Sequence, residues 1–132
     1  MKRLLVIEDD LNTRSGLIEL LQDEGYVVLG ARFGFEALKL ISTEAIDMVL
    51  CDYSLPDLDG LQVCQEVKKH RPEILLFLIT GFCNSKMINT AQECGVERIF
   101  TKPLMLDDLF QMLLCYSKNQ CTSRKESQPV SA

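Results

Sequence analysis

The sequence predicts one α/β domain, a doubly wound parallel sheet covered by helices on both faces. Three observations carry that expectation. Five short apolar runs of strand length alternate with five stretches of helical spacing from the N-terminus to about residue 117. Several of the runs are apolar throughout, without the every-second-residue pattern of a half-exposed strand. The chain has 132 residues, 47% hydrophobic and 25% charged, so a single core can form and disorder is excluded as its main character.

The elements follow in order. Arg3–Ile7 is the first strand, and Leu17, Leu20 and Leu21 then share one helical face, with Gly25 as its stop. Val27–Ala31 is the second strand, followed by a stripe of Ala37, Leu38 and Ile41. Met48–Cys51 is the third, followed by Leu61, Cys64 and Val67 on a helix that must end near Arg71, because Pro72 disfavours helical backbone before it. Ile74–Ile79 is the fourth, and Ile88 and Ala91 mark a weaker helix ending at Gly95. Arg98–Thr101 is the fifth, and Leu106, Leu109, Phe110 and Leu113 mark the last helix. Connections are short, and no internal repeat is visible. After Ser117 the chain reads KNQCTSRKESQPVSA, which offers no apolar stripe to bury. The expected organisation is therefore a domain at 1–117 and a flexible polar tail at 118–132, with no room for an attached DNA-binding module.

Charge and targeting exclude further classes. The formal net charge is −5, and the body before the tail is more acidic still, because the tail holds Lys118, Arg124 and Lys125 against Glu126. Gripping a phosphate backbone needs clustered Lys and Arg, so no direct nucleic-acid partner is expected. The apolar start Leu4-Leu5-Val6-Ile7 stops at Glu8-Asp9-Asp10, too soon for a secretory signal, and no run is long enough to span a bilayer. A cytoplasmic protein without membrane contact is expected. The six cysteines, at 51, 64, 83, 94, 115 and 121, include no CxxC pair, and His70 is the only histidine. Reduced thiols are expected, most of them small buried hydrophobes, with Cys121 the most exposed. His70, in a charged helix end, reads as solvated surface.

The chemistry lies at the strand ends. In an open parallel sheet, ligands gather beyond the carboxyl ends of the strands, near the point where strand order reverses. Here the first strand runs into Glu8-Asp9-Asp10, the third into Asp52, the fourth into Thr80-Gly81 and the fifth into Thr101-Lys102-Pro103. Singly, such residues are ordinary loop residues or helix caps, and Asp10 reads as a cap. Together, carboxylates, one hydroxyl and one ammonium at a common rim read as a hard-cation site with a nucleophile and a counter-charge, and carboxylate oxygens suit Mg²⁺.

With VIEDD after the first strand, DYSLPDLDG after the third, TG after the fourth and TKP after the fifth, the chain resembles the receiver domain of bacterial response regulators over residues 2 to about 117. The resemblance implies a flavodoxin-like (βα)5 fold with strand order 2-1-3-4-5. It implies that Asp52 accepts a phosphoryl group from a histidine kinase or histidine phosphotransfer protein. Glu8, Asp9, Asp52 and the backbone carbonyl of Ser54 would hold Mg²⁺, with Mn²⁺ as a substitute. Thr80 and Lys102 would contact the phosphoryl oxygens, and Phe100 would be the aromatic switch that reports at the surface. Pro56 and Gly60 bracket the loop after Asp52, and Pro103 sets the backbone after Lys102, whose bond to it is cis in family members. A downstream protein would read the face formed by the fourth helix, fifth strand and fifth helix.

Three positions depart from the commonest family pattern: Glu8 stands for Asp, Phe100 lacks a tyrosine hydroxyl, and Gly81 lacks a Cβ. The resemblance places Ser54 and Phe82 at the positions that flank the water approach to an aspartyl phosphate, so slow dephosphorylation is expected if Phe82 folds over the site. The expected function is a stand-alone phosphoryl-accepting switch or relay component, not a turnover enzyme. The alternatives are a phosphorylation-independent interaction module and a Mg²⁺-dependent phosphatase. The second acid of the phosphatase pattern DxDx[TV] is missing from Asp52-Tyr53-Ser54-Leu55-Pro56.

Overall fold

The computed structural model describes residues 2–117; the 118–132 tail and Cys121 lie outside the described residues. Five strands and five helices alternate: β1 (Arg3–Ile7), α1 (Leu11–Asp23), β2 (Val27–Ala31), α2 (Gly34–Thr43), β3 (Met48–Asp52), α3 (Gly60–His70), β4 (Leu75–Thr80), α4 (Ser85–Glu93), β5 (Val96–Thr101) and α5 (Leu106–Ser117). All strand pairs are parallel, in the order β2-β1-β3-β4-β5. The order reverses beside β1, so the carboxyl ends of β1 and β3 flank the crevice where a ligand can sit.

Apolar runs without alternation give two cores, because successive strand side chains point to opposite faces. Leu4 and Val6 of β1, Met48 and Leu50 of β3, and Phe77 and Ile79 of β4 pack with Leu17, Leu21, Leu109 and Leu113 of α1 and α5. Leu5, Ile7, Val49, Cys51, Leu76 and Leu78 pack on the other face with Ala37, Ile41, Val63, Val67 and Ala91 of α2, α3 and α4. Every residue of β3 is buried. Gly25 and Gly95 adopt φ of 99° and 83°, the left-handed region that ends α1 and α4 without a Cβ penalty.

Several expectations shift. β3 extends through Asp52, β4 runs from Leu75 to Thr80, and β5 starts at Val96, two residues early. A register irregularity between Leu76 and Phe77 accommodates Glu97, the residue between Val96 and Arg98. Leu20 is 37% exposed, because the buried stripe of α1 centres on Leu17 and Leu21 and leaves Leu20 at its margin. Leu106, on the opening turn of α5, is also exposed. Cys51, Cys64 and Cys94 are buried free thiols, and burial pushes the Cys64 thiol up to about 12, so it is inert. Cys115, half-buried near the end of α5, is disulfide-bonded, which corrects the expectation of reduced thiols throughout: it is too exposed to act as a core hydrophobe.

Candidate functional site

Each rim residue is placed by a strand end. Asp52 is the last residue of β3, paired in register with Ile79, and Tyr53 continues the ladder by donating its N–H to the Ile79 carbonyl at 2.7 Å. Asp52 is therefore aimed by a buried strand and is itself only 4% exposed. Lys102 reaches it from the turn after β5, with Nζ 3.1 Å from Asp52 Oδ1. The Lys102 backbone N–H donates to the Thr80 carbonyl at 2.8 Å, and the following Lys102–Pro103 bond is cis. Glu8 is buried, anchored by its N–H on the Ala31 carbonyl at 3.0 Å, and its Oε2 accepts the Asp10 N–H at 3.0 Å.

The loop after Asp52 turns tightly. Ser54 pairs with Asp59 in an isolated antiparallel bridge, and the Gly60 N–H donates to the Tyr53 carbonyl at 2.7 Å. A Cβ on Gly60 would lie 2.8 Å from the Asp52 carbonyl oxygen and 2.8 Å from Tyr53 Cα, so only glycine fits. Pro56 is exposed within this loop.

Electrostatics single out two carboxylates. Burial pushes the Asp52 carboxyl above its ordinary range, while the Lys102 hydrogen bond and charge pull it back; Asp9 nearby pushes it up again. Burial also raises Glu8, with Asp52 adding to the rise and the Asp10 N–H opposing it. Acidic groups thus outnumber the one ammonium among them. Such a cluster fits a small, hard dication. Among the described residues no three carboxylate, thiol or imidazole side chains are drawn close enough to form a ready-made cage.

Of the other residues, Asp10 and His70 stand as the sequence suggested. Asp10 caps α1: its Oδ2 accepts the Thr13 N–H at 2.8 Å and the Thr13 hydroxyl at 2.9 Å. Thr80 is buried, and its hydroxyl donates to the Phe82 carbonyl at 2.9 Å while accepting the Phe82 N–H at 3.3 Å. The Phe82 ring is 69% exposed, so in this conformation it does not fold over Asp52; the turn at Gly81 points it outward. Phe100 is 1% exposed and packs on Phe77, with ring centroids 6.4 Å apart. The ring lies inward in this conformation, where a side chain with no hydroxyl to hydrate gains by burial. His70 is exposed, with Nε2 3.4 Å from Glu66 Oε1.

Sequence reasoning missed two arginines. Arg14 Nη1 is 2.8 Å from the Glu8 carbonyl oxygen, and Arg32 Nε is 3.3 Å from Asp9 Oδ1. Arg14, three to four residues before buried Leu17 and half-buried Ile18, could have been placed beside the rim from α1; Arg32 had only its position after β2 to announce it.

A parallel 2-1-3-4-5 sheet with an acidic rim and a lysine from the last strand end defines a receiver-type α/β domain. The response regulator receiver domain profile matches residues 4–114, and the chain belongs to that family, whose members are phosphorylatable in two-component signalling. The chain is 29% identical over 108 residues to sporulation initiation phosphotransferase F of Bacillus subtilis, covering 82% of this chain and 87% of that protein. It is 31% identical over 109 residues to the transcriptional regulatory protein PdtaR of Mycobacterium tuberculosis, covering 82% of this chain but 53% of that one. It spans only 28% of a similar cyclic di-GMP phosphodiesterase of Thermotoga maritima. Among solved structures, a CheY-like receiver domain protein from Methanospirillum hungatei aligns with TM-score 0.86 and 27% identity, over 96% of this chain and 99% of that one. The response regulator TrrA of Thermotoga maritima, solved in complex with Mg²⁺-BeF, aligns with TM-score 0.78 and 31% identity, over 86% and 97%. No helix among the described residues is long and apolar enough to cross a membrane.

Proposed function

We propose that Asp52 is the phosphoryl acceptor of a Mg²⁺-dependent switch, and the observation that carries this is its position: a buried carboxylate at a strand end, 3.1 Å from Lys102. A carboxylate oxygen of Asp52 attacks the phosphorus of a phosphohistidine. The P–N bond breaks, its electron pair returns to the imidazole, and an aspartyl phosphate is left. Attack on an already anionic group needs positive charge placed in advance. Lys102 supplies one charge from the turn after β5. Glu8, Asp9, Asp52 and the Ser54 carbonyl would hold Mg²⁺, or Mn²⁺ in its place, which when bound neutralises the remaining repulsion.

The switch follows from Thr80. Its hydroxyl proton is committed to the Phe82 carbonyl, so donating to a phosphoryl oxygen breaks that bond. Release frees the turn at Gly81 and repositions Phe82, which with Ser54 then governs the access of hydrolytic water. Phe100, three residues before Pro103 on β5, senses the movement through its packing on Phe77. The surface of α4, β5 and α5 passes the change to a downstream protein.

Similarity over most of a protein named a phosphotransferase supports a relay or stand-alone role, with a histidine kinase or phosphotransfer protein as donor. Net charge of −5 argues against a polyanionic partner such as nucleic acid, and we read the protein as cytoplasmic and without membrane contact. We read residues 1–117 as the receiver domain and 118–132 as a dispensable tail.

Intact mass after incubation with acetyl phosphate and Mg²⁺ tests the reading. One phosphoryl group is expected on the wild type and none on Asp52→Asn or in EDTA. Asp9→Ala is expected to weaken Mg²⁺ binding more than Asp10→Ala, since Asp10 is committed to Thr13. Modification of Asp52→Asn at the wild-type rate would sink it.

A further inference from the structure

The turn between β2 and α2 sets a guanidinium on one of the rim carboxylates. Arg32 Nε lies 3.3 Å from Asp9 Oδ1, and its guanidinium carbon lies 5.2 Å from the centre of the Phe33 ring. The turn is pinned on both sides. Glu36 Oε1 accepts the Arg32 backbone N–H at 2.8 Å, and Asp57, from the loop after Asp52, accepts the Gly34 and Phe35 N–H groups at 2.8 and 2.9 Å. Arg32 therefore reaches toward Asp9 from a fixed base. Asp9's own backbone is steadied by Arg14, whose Nη1 lies 3.4 Å from the Asp9 carbonyl oxygen.

The pairing has a consequence for the site. A carboxylate oxygen shared with a guanidinium is a poorer ligand for a divalent ion, because the two positive charges repel and compete for the same lone pairs. We infer that Arg32 is a resident counter-ion that holds Asp9 away from the cation position, so that Mg²⁺ must displace a guanidinium to engage this carboxylate. The inference rests on the reading of Glu8, Asp9 and Asp52 as the cation site. Arg32 contacts the Asp9 carboxylate, so its role is that of a positioning residue, acting through Asp9.

Both partners are substantially exposed, with side-chain exposures of 59% and 46%. The pair is accordingly weak, and it sets a threshold of Mg²⁺ concentration without blocking the site. Removing Arg32 should tighten Mg²⁺ binding by about two- to fivefold, the range exposed ion pairs contribute. The gain should shrink as added salt screens the pair.

The test is an Mg²⁺ titration at low ionic strength, followed by tyrosine fluorescence. Tyr53 adjoins Asp52, and the sequence has no tryptophan to mask it. Three chains are compared: wild type, Arg32→Gln and Lys39→Gln. Lys39 is exposed on α2, and its substitution removes the same charge without touching Asp9. A two- to fivefold tightening in Arg32→Gln, with Lys39→Gln close to wild type, is the expected result. In an Asp9→Asn background, Arg32→Gln should change nothing, since the coupling runs through that one carboxylate. Equal or weaker binding by Arg32→Gln, an equal gain in Lys39→Gln, or an undiminished gain without the Asp9 carboxylate would each overturn the inference. If no chain binds Mg²⁺ saturably, the cation site itself is wrong and the inference falls with it.

Discussion

Replacing Gly60 with alanine is expected to damage both stability and phosphoryl acceptance, although alanine is the better helix former. Gly60 opens α3 and packs against the end of β3. An alanine Cβ there would lie 2.7 Å from Leu78 Cδ1, 2.8 Å from the Asp52 carbonyl oxygen and 2.8 Å from Tyr53 Cα. Comfortable carbon contacts begin near ~3.5 Å, so the neighbours must retreat by roughly 0.7 Å. Two of the three atoms are backbone, and Leu78 is fully buried, so none can swing aside cheaply. Overpacking of this kind costs about 1–3 kcal/mol, against a gain of roughly 0.5–1 kcal/mol from replacing glycine in a helix. At midrange values the net is a loss of about 1 kcal/mol, or a fall in Tm of roughly 3–6 °C. The atoms displaced belong to Asp52 and Tyr53, so phosphorylation by acetyl phosphate should slow by about tenfold. Gly16→Ala is the control. Nothing lies within 4 Å of its Cβ, and in the middle of α1 it should stabilise by about 0.5–1 kcal/mol. Thermal melts and phosphorylation rates of both variants decide the matter. A Gly60→Ala protein as stable and as reactive as wild type would refute the steric reasoning.

Three further outcomes are expected. Asp59→Ala removes the cap of α3, where Asp59 Oδ1 accepts the Gln62 N–H and Gln62 Oε1 accepts the Asp59 N–H, both at 2.9 Å; urea unfolding should show a loss of about 1 kcal/mol. Burial raises the folded-state pKa of Asp52 and Glu8, so protonation favours the fold, and that contribution is lost as pH rises through the raised values. Metal-free Asp52→Asn should therefore melt above wild type near pH ~7, with the gap closing on acidification toward pH ~4; a gap that widens in acid contradicts the sign. Phe82→Gln should shorten the life of the phosphorylated form, measured as decay at fixed Mg²⁺, and unchanged decay would remove Phe82 from the control of water.

Much of this was legible in the sequence because period and punctuation coincide. The runs at Leu4–Ile7 and Met48–Cys51 lack alternation since both sheet faces are covered, and Gly25 and Pro72 mark where helices stop. The rim was legible because Glu8, Asp52 and Thr80 each follow an apolar run directly, and Lys102 follows one after a single threonine. What escaped depends on tertiary packing. β5 gains Val96 and polar Glu97 at its start, and the register shifts there, between Leu76 and Phe77 of β4, in a way that no local signal announces. Leu20 and Leu17 look alike by spacing, and only the angle at which α1 lies on the sheet exposes one of them. Arg32's partner is 23 residues away, and a side chain's choice between solvent and a distant carboxylate leaves no periodic trace.

The central claim concerns one atom group, the Asp52 carboxylate. Borohydride reduction of the phosphorylated chain converts an aspartyl phosphate to homoserine and leaves unmodified aspartate intact. Tandem mass spectrometry of the peptide containing Cys51-Asp52-Tyr53 then reads the position directly. Homoserine at position 52, dependent on Mg²⁺, is the expected result. Homoserine at position 9 or 10, or a phosphoryl group that survives reduction, would contradict the account.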